Sequence, residues 1–124
     1  MNTSKARILI VDDEPKWGRT SKLALEERGY NVEWVQSMEE AYRHASRGRF
    51  ALVVINSGLA FAEGMSSLKR IIRRHPRNVI ILSDVHSIAV ATAAFKVGAD
   101  YQDKPFEISK LVDLTDRLVR GRGN

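Results

Sequence analysis

Residues 7–15 read RILIVDDEP, in which an apolar run of strand character meets three consecutive acids and then a proline. Pro15 suits the first turn of a helix, so this stretch predicts a buried strand, a polar strand end and a helix over 16–28. Working outward, runs rich in Ile, Val and Leu recur at 31–35, 52–55 and 79–82, and more weakly around Tyr101. Helical spacing fills the gaps at 38–47, 65–75, 87–97 and 109–120. Ser37 with Glu40 fits a capping box, Gly29, Gly48 and Gly98 suit helix exits, and Pro76 ends the third helix. A run such as LVVI at 52–55 implies burial on both faces, and helical crossovers imply parallel strands. The expectation is a doubly wound α/β domain of five parallel strands and five helices, whose site lies outside the carboxyl ends of the strands.

The 124 residues, 44% hydrophobic, suffice for one core, so residues 1–124 are read as a single domain with 121–124 as a tail or the start of a linker. No cysteine is present, which leaves no disulfide framework and no cysteine metal site. The first apolar run ends in acids, unlike a signal-peptide core, and no stretch nears the roughly 18 apolar residues of a membrane span. A cytoplasmic location is the default. Twenty basic against 15 acidic residues give +5, which raises nucleic acid, anionic lipid or an acidic protein as partners.

The predicted strand ends gather Asp12, Asp13 and Glu14, then Asn56, then Ser83 and Asp84, then Lys104 before Pro105. The motifs VDDEP, a serine closing the fourth strand, and GADYQDKPF resemble, in order and spacing over nearly the whole chain, the receiver domain of two-component response regulators. The resemblance implies a sheet ordered 2-1-3-4-5. It also implies chemistry in which two carboxylates hold Mg²⁺ while a third accepts a phosphoryl group whose oxygens the metal and a lysine neutralise. Carried over by position, Asp12 and Asp13 match the metal pair, Lys104 the lysine, Ser83 the hydroxyl that reports the phosphoryl group, and Tyr101 the aromatic switch.

In FALVVINSGLAFAEGM, Leu59 and the pair Glu63–Gly64 keep the family register, which puts Asn56 at the acceptor aspartate. A carboxamide has no anionic oxygen with which to form an acyl phosphate. Ala60 replaces the usual proline, which is expected to loosen the loop, and Asp84 replaces a small residue, which is expected to repel an anionic donor. Three departures read as natural divergence, the alternative being an introduced Asp-to-Asn change. With only Asp12, Asp13 and Asn56 at the metal position, Mg²⁺ binding should be weakened or lost. Lys104 is then free to bridge the acidic pair. Taken singly, the acids read as a helix-capping pair and Lys104 as a surface lysine.

Outside the pocket, the predicted helix at 87–97 presents Ile88, Val90, Ala91, Ala94, Phe95 and Val97, wider than a one-sided stripe. It is either a deeply buried helix or a docking face, and the resemblance implies homodimers or partners docking through the fourth helix, fifth strand and fifth helix. Lys69, Arg70, Arg73 and Arg74 form a basic helix face, read as solvated because no stacking aromatics accompany it. His44, His75 and His86 lack metal-ligand spacing and are read as surface or loop residues, and Trp17 and Trp34 imply no cofactor. The leading expectation is a signalling domain without catalytic residues, a pseudo-receiver that acts by contact with a kinase, an output domain or a second receiver. The alternatives are a phosphorylatable receiver altered at Asn56, a Mg²⁺-dependent phosphate-handling enzyme, which lacks a glycine-rich phosphate loop, and a nucleic-acid-binding domain.

Overall fold

Aliphatic residues at 8–11, all buried, place the first strand, β1 (Arg7–Val11), inside the sheet rather than at its edge, as the computed structural model shows. The structure describes residues 5–62, 65–76, 78–105 and 107–122. After β1 come α1 (Pro15–Glu27), β2 (Asn31–Val35), α2 (Met38–Arg47), β3 (Leu52–Asn56), α3 (Ser57–Ala62), α4 (Met65–Arg74), β4 (Val79–Ser83), α5 (Ile88–Val97), β5 (Asp100–Asp103) and α6 (Ile108–Arg122). The five strands are parallel in the order β2-β1-β3-β4-β5, as expected. Alternate side chains feed two cores. Leu9, Val11, Val53, Ile55 and Ile81 pack with α2, α3, α4 and α5, while Ile8, Ile10, Val54, Ile80 and Leu82 pack with α1 and α6.

Local chemistry sets the boundaries. Ser37 Oγ accepts from the Glu40 backbone N–H at 3.1 Å, and the Glu40 carboxylate reaches back to the Gln36 N–H at 3.0 Å, closing the cap one residue early. Gly29 and Gly98 leave their helices at φ +103° and +90°, which an L side chain would resist. Gly48, by contrast, exits in extended backbone.

Three expectations need correction. The chain between β3 and α4 is no loosened loop but begins as a sixth helix, α3, in which Ala60 is fully buried; SGLAFA contains no proline, so every residue offers a backbone N–H. α6 runs to Arg122, into the stretch expected to fray. His75, in the connection that follows α4, is not a surface side chain, since it is only 2% exposed.

The His75 ring is held by its neutral form. Nε2 accepts from the Phe50 N–H at 3.1 Å, and Nδ1–H faces the Ile71 carbonyl at 3.3 Å. Burial pushes its pKa below the usual 6.5, the Ile71 carbonyl opposes this, and Arg49 and Arg74 push it down further. The unfolded chain therefore takes up a proton near pH 6.5 that the native state refuses, so this contribution is complete above pH 6.5 and declines as the pH falls toward the lowered native value. Thermal melts should show the midpoint dropping as the pH falls below 6.5, and His75→Gln, which keeps a donor and an acceptor but cannot charge, should flatten that drop. An unchanged slope in the variant would assign the pH dependence elsewhere.

Candidate functional site

Because parallel strands all end on one edge, β1, β3, β4 and β5 deliver their following residues to a single pocket. Asp12 follows β1 and is 2% exposed, Asn56 closes β3, Ser83 closes β4, and Lys104 follows β5. The register across β3 and β4 sets Asn56 beside Leu82. The Lys104 backbone N–H donates to the Ser83 carbonyl at 2.7 Å, which fixes the base of the lysine.

The Lys104 side chain, only 7% exposed, is the centre of the site. Its Nζ lies 2.9 Å from Asp12 Oδ2, 3.2 Å from Asp84 Oδ1 and 3.5 Å from Glu14 Oε1, and 4.3 Å above the Trp17 ring. Burial pushes the ammonium pKa down, but the hydrogen bonds and charges of Asp12 and Asp84 outweigh it and hold the group above its usual 10.5. The lysine is thus charged and answered by carboxylates of its own chain. The expected bridge from Lys104 to the acidic pair is half met, since it engages Asp12 and the unforeseen Asp84 and Glu14, while Asp13 points to solvent.

Asp84 is where the arrangement departs most from a simple repelling group. Besides Lys104 it accepts a long hydrogen bond, 3.5 Å, from Asn56 Nδ2. Asn56 Oδ1 in turn accepts the Gly58 N–H at 2.9 Å and starts α3. The amide therefore spans a backbone donor and a carboxylate, a role a carboxylate at 56 cannot fill, because it has no N–H to offer Asp84. Both Asp12 oxygens are also engaged, Oδ2 by Lys104 and Oδ1 by the Glu14 N–H at 2.9 Å. Among the described residues no three acidic or histidine side chains converge as metal ligands. A hard cation held by Asp12, Asp13 and Asn56 would have to compete with Lys104 for Asp12.

Ser83 Oγ donates to the Val85 carbonyl at 2.6 Å, turning its proton into the β4–α5 turn. Tyr101 OH donates to Asp103 at 2.8 Å and accepts the Ser87 N–H at 3.1 Å, so it joins β5 to the start of α5, where Ser87 caps the helix. His86 Nδ1 approaches Asp103 at 3.1 Å. The Tyr101 hydrogen bond first, and then His86, hold Asp103 below the usual carboxylate pKa. Of the residues expected on the outer surface, Ile88 and Phe95 are 75% and 83% exposed and Val90 is half-buried, which removes the buried-helix reading of α5. Glu63 lies outside the described residues.

Sequence reasoning missed Trp17 as the lid on Lys104, and Trp34, whose Nε1 donates to the Asp12 carbonyl at 2.9 Å. It also missed Gly18, which makes room for the Trp34 ring. A tryptophan three residues past the acids was the available signal, since the first turn of α1 overhangs the pocket.

A sequence model of the response regulator receiver domain matches residues 8–116. Over 115 residues the chain is 30% identical to the transcriptional activator protein IrlR of Burkholderia pseudomallei, covering 92% of this chain and 50% of that protein. The chain thus spans about half the length of such relatives. Among solved structures, a CheY-like receiver domain protein from Methanospirillum hungatei superposes with a TM-score of 0.85 at 26% identity, covering 97% of this chain and 98% of that one. A Burkholderia pseudomallei response regulator with a phosphorylated aspartic acid, calcium ion and citrate superposes with a TM-score of 0.76 at 27% identity, covering 96% and 72%.

Proposed function

Since the chain belongs to the response regulator receiver domain family, we propose that it is a pseudo-receiver, working through protein contact in a state set without phosphorylation. The observation that carries this reading is the substitution at Asn56 together with the Asp84 carboxylate on Lys104. In a phosphorylatable receiver the lysine is the positive group that a bound phosphoryl group would recruit. Here an internal carboxylate already occupies it, and the nucleophile is an amide. Natural divergence explains both changes at once, as Asn56 and Asp84 are hydrogen-bonded partners.

The proposed partners are a kinase, an output domain or a second receiver. The docking face is formed by α5, β5 and α6, where exposed Ile88 and Phe95, with Val85 of the turn before α5, supply apolar area. The Tyr101 bridge from β5 to Ser87 holds that face to the pocket. Mg²⁺ binding is weak and nucleic acid is not the target of this site.

Intact-mass measurement after incubation with a small phosphodonor and Mg²⁺ tests the reading. The chain should remain at its unmodified mass, Asn56→Asp should label poorly, and Asn56→Asp/Asp84→Ala should label more strongly. A Mg²⁺-dependent adduct on the unaltered chain would sink the proposal. Full labelling of Asn56→Asp alone would instead favour a receiver disabled at one position.

A further inference from the structure

The charge of the chain is concentrated. Residues 65–83 contain five basic residues, Lys69, Arg70, Arg73, Arg74 and Arg77, and no acid, so the remaining chain holds 15 basic and 15 acidic residues and is neutral. On α4 these cations divide. Arg70 stacks over the Tyr42 ring at 5.5 Å and the Arg74 Nε–H donates to the Ala45 carbonyl at 3.2 Å, so both lean on α2. Lys69 and Arg73, one turn apart, face the other way, where Lys96 of α5 joins them around a groove floored by Ile72 and Val97. All three cations are exposed, and among the described residues none has a carboxylate within 4.0 Å.

Arg73 and Lys96 stand in the last turns of their helices, where they offset the helix dipoles, but Lys69 sits mid-helix and has no such role. Three unanswered cations around an aliphatic floor favour a particular occupant. A phosphate backbone would satisfy the cations and leave the floor wet, and among the described residues no aromatic ring lines the groove to stack on a base. A peptide with carboxylates flanking an aliphatic side chain satisfies both.

We propose that the groove between α4 and α5, ringed by Lys69, Arg73 and Lys96, docks an acidic segment of a partner protein carrying an aliphatic anchor. The groove is formed by the helices' later turns, away from the strand ends that build the pocket, so its use does not depend on the state of Asn56.

Fluorescence anisotropy with a panel of labelled glutamate-rich 12-residue peptides, each with one or two leucines, tests this. At least one should bind more tightly than an all-glutamate peptide of equal charge. Lys69→Glu/Arg73→Glu/Lys96→Glu should weaken that binding by about tenfold or more, as expected when several interfacial charges are reversed. Lys5→Glu/Lys16→Glu/Arg19→Glu, with the same change in net charge elsewhere on the surface, should leave it within about twofold. Equal losses in the two triple variants, no preference for leucine, no binding across the panel, or tighter binding to a random DNA duplex would each overturn the proposal. Circular dichroism of both variants separates lost binding from lost folding.

Discussion

Lys104→Met should cost about 3 kcal/mol of folding stability, the scale seen when one partner of a buried ion pair is removed. Methionine keeps the aliphatic stem under Trp17 but removes the ammonium, and Asp12, almost wholly buried, then holds its charge with only the Glu14 N–H for company. Urea unfolding measures the loss. The second variant, Asp12→Asn/Lys104→Met, should recover most of it, because the stranded charge goes with the lysine. Asp84→Asn alone should change stability by less than about 1 kcal/mol, since that carboxylate is largely exposed and its pair is screened. A double variant no more stable than Lys104→Met would show that packing of the stem, rather than charge, is what the lysine supplies.

Gly18→Val should cost about 2–3 kcal/mol, the range of overpacking a filled site. A Cβ at Gly18 would stand 2.2 Å from Trp34 Cε2 and 2.3 Å from Nε1, so the indole must leave its place and give up its hydrogen bond to the Asp12 carbonyl. Gly18→Ala should cost less, because the clash is partly offset by about 1 kcal/mol of helix propensity. The decisive measurement is coupling: in a Trp34→Ala background the Gly18→Val cost should fall below about 1 kcal/mol. An undiminished cost there would place the strain in α1 itself. Near-UV circular dichroism should report the displaced indole in Gly18→Val.

How much of this was legible beforehand follows from the range of the forces involved. The strands were readable because burial on both faces leaves uninterrupted aliphatic runs such as LVVI, and the helix ends because Ser37 and Gly98 act locally. The gathering of Asp12, Asn56, Ser83 and Lys104 followed from topology, since parallel strands share one carboxyl edge. The partners of Asp84 did not. Repulsion of an incoming anion was the expectation from its charge alone, whereas attraction to Lys104 and the Asn56 amide depends on side-chain distances that no spacing encodes. α3 escaped notice because six residues carry too little periodicity to separate a helical turn from a loop. His75 was misplaced for a different reason, as its burial comes with the approach of Phe50, 25 residues away in sequence.

The last strand in the chain, β5, is a short edge of four residues, DYQD, with both aspartates exposed. Charge at each end of so brief an edge discourages a strand of another molecule from adding beside it. The opposite edge, β2, carries Glu33 tied to Arg7 and His44. Self-association of this chain should therefore leave the sheet at five strands and bring helices together instead, a mode that can be reversed by dilution and does not template the growth of fibrils.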